Sequence, residues 1–514
     1  MWISQKAMMF LAGLFALVAG ALSLAVGVWG DEAMALATTG HGPVEAAVRA
    51  RDFELQPPLY FVLLSIWRFI SGSVFWARML SVVAVAAAVV VAARHFHPGR
   101  ISRSDGPNQL LALLLASSPV ALWAAAEARV YGLTLLLGVS WMCLLWRVLL
   151  VPAPLGGKAL RGGVAGLVVV SALLLATQYY TGFLLLAGAP AVLVARGWRP
   201  LGLYVALMLA AGILVSPLLL NVPDQMRRHG ASPAPGAEPT TVAVAMAFAM
   251  HRVETLALPP VEAVSTALPP GLPRRAAVWG VRLVLALLFG LSLRQAWRTR
   301  SRELAGLLVL PAALVALFLL LRFRIPEHLL ADRHLVILLP ALLGAMAAVL
   351  TSAAPWVQGA TLALLVAGGV GVSVQTWQPL AKTGYARQVA GVLERGASAG
   401  DVVLVYRPSL AEALSLEYHG PARLVSLPRP LDMRRADMTS ESGQSLADTA
   451  ALAARIDSAL ANARGAWLVI ELAPDEAFGR VYLDRFERLI RRRFPPNLPV
   501  ATFPGVEVRR LSGR

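Results

Sequence analysis

Long uninterrupted runs of apolar residues recur through the first 377 positions: 7–29, 76–94, 108–126, 130–150, 163–177, 181–195, 201–220, 277–293, 304–321, 335–351 and 357–376. A helix needs about 20 apolar residues to cross a hydrocarbon core, and nearly all of these runs approach that length. In lipid, every backbone N–H and C=O must be satisfied internally, which only a helix or a closed barrel achieves. The runs are continuous rather than alternating. They therefore predict an α-helical polytopic membrane bundle of about 11 transmembrane helices. Charged residues make up only 15% of the chain, against roughly a quarter in soluble domains.

Charge placement predicts orientation. Lys6, Lys158 and Lys382 are the only lysines, so almost all of the 46 basic residues behind the net charge of +17 are arginines. Arg94, Arg100, Arg103, Lys158, Arg161, Arg196, Arg199, Arg294, Arg298, Arg300 and Arg302 fall between spans on one side. Basic residues in short loops mark the cytoplasmic face. The N-terminus is accordingly predicted cytoplasmic in a bacterial inner membrane, with the run after Lys6 read as an uncleaved first helix. The loop 30–75, with interfacial helices, and the long Pro-rich loop 221–275, with one helix near 241–257, fall outside. No basic run is interleaved with aromatics, so nucleic acid is not an expected partner. Cys143 stands alone, so an intrachain disulfide is excluded.

After Trp377 the pattern changes. Residues 402–406, 423–427, 467–472 and 506–511 read as strands, and 411–419, 446–463 and 476–493 as helices. This predicts a small C-terminal α/β extracytoplasmic domain, 378–514, after a transmembrane domain, 1–377. No Gly-rich nucleotide loop, internal repeat or transporter-like pair of broken helices is evident in the sequence. Gly368, Gly369 and Gly371 mark a helix face suited to close packing.

The unusual polar residues gather at the predicted outer ends of the spans. They are Asp31-Glu32, Gln56-Pro57-Pro58-Leu59-Tyr60, Glu127-Ala128-Arg129-Val130-Tyr131, Gln178-Tyr179-Tyr180 and the stretch Arg322 to His334. Each has a structural explanation. Acids suit the start of a helix, and two prolines begin one well. Arginines around Ile325-Pro326 can meet headgroups. Functional readings stand beside these. Asp31 can take a proton from a hydroxyl, and several guanidiniums suit a phosphate. Glu127, Arg129 and Tyr131 converge only if the backbone turns there, because i and i+2 point apart on a helix. His251 and Glu254 could begin a metal site, but nothing in the sequence completes it.

In this order the clusters resemble the GT-C superfamily of membrane glycosyltransferases, in the bacterial branch related to protein O-mannosyltransferases and lipid A aminoarabinose transferases. The family pattern has an acidic pair after helix one, a His-Pro-Pro-Leu-Tyr segment, a Glu-Ala-Arg-x-Tyr run, a Tyr-Thr-His-Tyr-like turn and an Arg-Tyr-Leu-x-x-Leu-Pro-like helix start. Here these match Asp31-Glu32, Gln56 to Tyr60, Glu127 to Tyr131, Thr177 to Tyr180, and Arg333-His334-Leu335 leading to Pro340. The resemblance implies a GT-C-like catalytic domain over 1–377. Its implied activity is sugar transfer from a polyprenyl-phosphate donor to a hydroxyl of a lipid, glycan or protein acceptor, with inversion. Asp31 and Glu32 would be catalytic. Arg129, Arg322, Arg324 and Arg333 would hold the donor phosphate, and Gln56, Tyr60, Glu127, Tyr131, Gln178 and Tyr179 would bind substrate. Gln56 and Gln178 stand where the family often has His, so no cofactor is obligatory and a divalent metal is not supported. Two other readings stay open from the residues alone: a secondary transporter or lipid flippase, and a non-catalytic scaffold presenting the C-terminal domain.

Overall fold

The computed structural model describes residues 5–97, 109–151, 157–228, 241–299, 301–323, 332–376, 385–431, 433, 449–472, 483, 486–494 and 498–511. The chain divides into two compact units. The first comprises Met1–Ser23, Gln56–Val222 and Ala231–Thr376; the second comprises Leu24–Leu55, Pro223–Gly230 and Trp377–Arg514.

The first unit is a helical bundle. Among the described residues, 8 helices are long and apolar enough to cross a membrane, or up to 10 if each bent pair is one span. The eight are Lys6–Ala25, Val74–His95, Tyr131–Leu150, Leu160–Thr177, Leu272–Arg298, Arg302–Arg322, His334–Thr351 and Pro355–Val374. The protein is thus a multi-pass membrane protein. The expectation of about 11 spans differs at identifiable places. The run 108–126 is not one helix but two, Leu110–Ala116 and Pro119–Ala125. Pro119 lacks the N–H that would continue the first, and Ser118 caps the second by accepting from Ala121 N at 3.3 Å. Thr181–Arg196 is shorter than the others and carries Pro190 inside. Helix pairs bent at short breaks do occur, contrary to the sequence reading. Trp198–Leu214 and Ser216–Arg228 meet at 72°, and Val242–Ala257 and Pro259–Ala267 at 97°.

Small residues set the packing of this unit. A Cβ on Gly132 would lie 2.9 Å from Ser81 Cβ and 3.0 Å from its carbonyl oxygen, so the Tyr131–Leu145 helix touches the Val74–His95 backbone. Gly368 abuts Pro260, and Gly369 abuts the Ser117 carbonyl, as their spacing predicted. One guanidinium is buried within a span. Arg78, 1% exposed, donates from Nη1 to the Ser23 carbonyl at 2.6 Å, which lowers the cost of a charge at that depth.

The second unit is built on a five-stranded sheet: β1 Val402–Tyr406, β2 Arg423–Leu427, β3 Ala466–Glu471, β4 Pro499–Phe503 and β5 Val506–Leu511. Its order is β2-β1-β3-β5-β4. β1 pairs parallel with β2 and β3, while β5 is antiparallel to β3 and β4. Alternate residues of β1 enter separate cores. Leu404 packs with Ile456 and Phe486 on one face, and Val403 and Val405 pack with Leu393 and Leu414 on the other. Burial on both faces is characteristic of parallel strands covered by helices. Strand β4 and the Ala386–Gly396 helix were not foreseen; the expected helix 476–493 is described only at 483 and 486–493, of which 483 and 486–491 are helical.

The remaining segments are tied to this sheet by named bonds. Arg387 Nη1 donates to the Leu24 and Ala25 carbonyls, both at 2.8 Å, and its Nε pairs with Glu417 at 2.9 Å. Glu417 in turn accepts from Val28 N at 2.8 Å. Arg228 Nη1 reaches the Asp52 carbonyl, and Gln225 Nε2 the Arg51 carbonyl, both at 2.9 Å.

Candidate active site

In the first unit the backbone turns at 126–130, between the Pro119–Ala125 and Tyr131–Leu145 helices. This meets the condition under which Glu127, Arg129 and Tyr131 can converge. All three are buried: Glu127 is 1% exposed, Arg129 3% and Tyr131 1%. Ser81 Oγ donates to the Arg129 carbonyl at 3.3 Å, and Tyr131 stacks on Trp123 with centroids 5.1 Å apart. Burying a carboxylate and a guanidinium together is unfavourable unless each is compensated, so apolar packing alone does not explain this turn.

Two other clusters flank helix breaks of the same unit. Gln178 is buried between Gly157–Thr177 and Thr181–Arg196, and its Oε1 meets no hydrogen-bond donor among the described residues. Tyr179 donates to the Leu218 carbonyl at 3.4 Å. Tyr60 is wholly buried at the start of the Leu59–Trp67 helix. Gln56 presents a buried Oε1 that is likewise unmatched among the described residues.

The 3-10 turn Asp332–Ile337 joins these groups. It packs against the Tyr131–Leu145 and Val242–Ala257 helices. Its His334 stacks on Tyr180 at 4.9 Å, with the rings inclined by 11°. Arg333 lies on this turn, but its side chain is outside the described residues, as is the whole of Arg324. Arg322 is half-buried, its guanidinium 5.8 Å from the Phe248 ring; Arg252 lies over the same ring at 4.8 Å. Arg252 was not singled out in the sequence, although its i+4 spacing from Phe248 puts both on one helix face. Glu254 pairs with Arg282 at 2.7 Å, so it is engaged by a guanidinium rather than held beside His251 for a metal.

Asp31 and Glu32 belong to the second unit. They sit in the first turn of the Gly30–Thr38 helix, not at its cap, which is Trp29. Glu32 is fully buried, whereas Asp31 is half-buried. The helix approaches Pro408–Glu417 closely enough that a Cβ on Gly30 would lie 3.1 Å from Ser409 Cβ. Beside Ser409, at the carboxyl end of β1, Arg407 holds φ 89°, a left-handed conformation unfavourable for a side chain. Arg407 Nη1 lies 3.8 Å from Oε2 of Glu471, which ends β3. Burial raises the Glu471 carboxyl above its ordinary value and the charge of Asp31 raises it further, while Arg407 opposes both. Asp31, Arg407 and Glu471 thus form one electrostatic group at the carboxyl ends of adjacent parallel strands, where open α/β sheets commonly bind ligands. Arg407 and Glu471 escaped the sequence reading. Their signal was their position at the ends of the runs 402–406 and 467–472.

Fold and site define a multi-pass helical membrane protein with buried charge at helix breaks and a separate α/β unit. The fold is similar to that of ArnT from Cupriavidus metallidurans in the apo state, at 14% identity and a TM-score of 0.45, covering 98% of this chain and 97% of that one. ArnT from the same organism bound to undecaprenyl phosphate gives 14% and 0.42 over the same shares. The Archaeoglobus fulgidus oligosaccharyltransferase in complex with Zn and sulfate gives 13% and 0.43, covering 90% of this chain and 68% of that one. No protein-family profile and no curated protein sequence matches the chain.

Proposed function

We propose that the protein is a membrane glycosyltransferase that moves a sugar from a polyprenyl-phosphate donor to an acceptor hydroxyl, inverting the anomeric configuration. The observation that carries this reading is the Glu127–Arg129 turn, a carboxylate and a guanidinium buried together inside an apolar bundle. The ordered motifs from Asp31-Glu32 to Arg333-His334 support the same reading.

In this mechanism the acceptor oxygen attacks the anomeric carbon. The carbon–oxygen bond to phosphate breaks, and its electron pair leaves with the polyprenyl phosphate. Asp31 takes the acceptor proton as general base, a role that contributes about 10²–10⁴-fold in comparable enzymes. Glu32, fully buried, supports that turn of helix. Arg129 stabilises the charge growing on the leaving phosphate. Arg322, Arg324 and Arg333 would share that task. Gln56, Tyr60, Glu127, Tyr131, Gln178 and Tyr179 would shape the sugar and acceptor sites. Fixed guanidinium charge supplies the electrostatics without a metal. The N-terminus would be cytoplasmic, and the second unit would face the outside of a bacterial inner membrane.

Purified full-length protein, assayed against a panel of radiolabelled polyprenyl-phosphate sugars, tests the roles. Asp31→Asn is expected to lower turnover at least a hundredfold while donor binding persists. Arg129→Gln is expected to weaken donor binding about tenfold or more. Full turnover in the first variant, or unchanged donor affinity in the second, rejects the assignment.

The two bent helix pairs favour a second reading, a carrier for lipid-linked sugars, since discontinuous helices line transport sites. Proteoliposomes separate the two: movement of an intact labelled lipid across the bilayer without cleavage supports the carrier.

A further inference from the structure

In the second unit, the order β2-β1-β3-β5-β4 sets β1 between the two strands that follow it in the chain. The Pro408–Glu417 helix leaves β1 on one face of the sheet, where Leu410 and Leu414 are buried. The Thr449–Leu460 helix precedes β3 and covers the opposite face through Leu452 and Ile456. The two connections diverge beside the β1–β3 pair and leave a crevice at its carboxyl ends. Open α/β sheets take up ligands at such a point of divergence.

Arg407 stands at one lip, directly after β1, and Glu471 at the other, as the last residue of β3. The Arg407 N–H donates to the Leu427 carbonyl at 3.2 Å, which ties its left-handed backbone to the end of β2. Nη1 of Arg407 and Oε2 of Glu471 are 3.8 Å apart, too far for a hydrogen bond. Among the described residues neither side chain makes a hydrogen bond, yet both reach solvent, with 35% and 24% of their surface exposed. A donor and an acceptor at this spacing suit a group that accepts from one and donates to the other. A hydroxyl does both. Water can fill the gap, but a ligand that reproduces its hydrogen bonds and brings several hydroxyls in a fixed array displaces it. Asp31, on the Gly30–Thr38 helix beside Ser409, adds a second acid for a neighbouring hydroxyl.

We infer that this crevice binds a carbohydrate, one sugar hydroxyl lying between Arg407 and Glu471, and that the acceptor is a glycan. Its role as acceptor rests on the glycosyltransferase reading; its capture in the crevice does not. A seryl or threonyl side chain offers a single hydroxyl, and the carbonyls flanking it would face two acids. A phosphate would meet one guanidinium against the same two acids.

Saturation-transfer NMR titrations of purified full-length protein, in a sugar-free detergent and without any donor, test this. The probes are maltotriose, cellotriose, mannotriose and chitotriose, with a Gly-Ser-Gly peptide and inorganic phosphate as rivals. At least one trisaccharide is expected to bind about tenfold more tightly than either rival. Arg407→Gln and Glu471→Ala should each weaken that trisaccharide by about tenfold. The double variant should lose no more than the worse single one, because one hydroxyl serves both groups. Should Glu471→Ala fail to fold, Glu471→Gln keeps the shape without the charge and should lose about threefold. Arg491→Gln, which breaks an exposed pair with Glu487, should bind as the wild type does. Binding of no trisaccharide, wild-type affinity in the Arg407 or Glu471 variants, an equal loss in Arg491→Gln, or tighter binding of the peptide or phosphate overturns the inference. The two readings fail separately. Trisaccharide capture without transfer from any polyprenyl-phosphate sugar rejects the transferase and leaves this site standing. Transfer to a seryl peptide without trisaccharide capture retains the transferase and removes the site.

Discussion

Glu471 shows how a single side chain couples to its surroundings. Its carboxyl is held above the ordinary value of 4.5 by burial and by Asp31. A raised carboxyl contributes stability in full below that ordinary value, and the contribution is lost as pH rises through the higher folded value. Glu471→Gln, always neutral, should therefore melt close to the wild type at pH 4 and progressively above it toward pH 8. A constant offset across that range would refute the coupling. Arg387 is the converse case, a charge that stabilises. It meets two carbonyls at the end of the first helix, where positive charge is favourable, and it pairs with Glu417. Arg387→Ala should destabilise the second unit by on the order of 1–2 kcal/mol, measurable as a lower denaturation midpoint. Motif reading singled out Asp31 because it follows an apolar run. It missed Glu471 and Arg407 because their proximity to Asp31 arises from tertiary packing, which no local pattern encodes.

Helices were legible wherever apolar length alone decided them and less so where a local break intervened. Val74–His95 and Arg302–Arg322 match their predicted runs within a few residues. The run 108–126 looked continuous because hydropathy ignores Pro119 and the serine before it. Strands β1, β2, β3 and β5 were recognisable from β-branched and apolar residues; β4, mostly exposed, offered no such pattern. Close-packed glycines carry a sharper prediction. Gly132→Ala places a methyl group against the Ser81 backbone, which cannot yield as a flexible side chain would. It should destabilise the bundle by on the order of 1–3 kcal/mol, whereas Gly162→Ala, with open space around its Cβ, should be neutral or better. Thermal denaturation of the two variants in detergent compares them directly.

At the scale of the whole molecule, the boundary at Trp377 was drawn from the point where apolar composition stops. It could not anticipate that Leu24–Leu55 and Pro223–Gly230 cluster with the C-terminal residues. Residues 24–29 read as the end of the first span and residues 30–55 and 223–230 as loops, and their partners lie hundreds of positions away. A fragment of residues 377–514 made alone would lack the Gly30–Thr38 helix and the carbonyls that Arg387 engages. A synthetic peptide of residues 24–55 added in trans should raise that fragment's melting temperature in a saturable way. No shift at saturating peptide would mean the fragment is self-sufficient.

The bond between Arg387 and Leu24 spans 363 positions of sequence. At roughly 5–20 residues added per second, the ribosome needs something like 20–70 s between making one partner and the other. Throughout that interval the first helix has already left the ribosome with its terminal carbonyls dependent on water or a chaperone. Assembly of the second unit is therefore a late, post-insertion event, and premature termination anywhere before residue 387 yields a chain whose beginning is unfinished as well as its end.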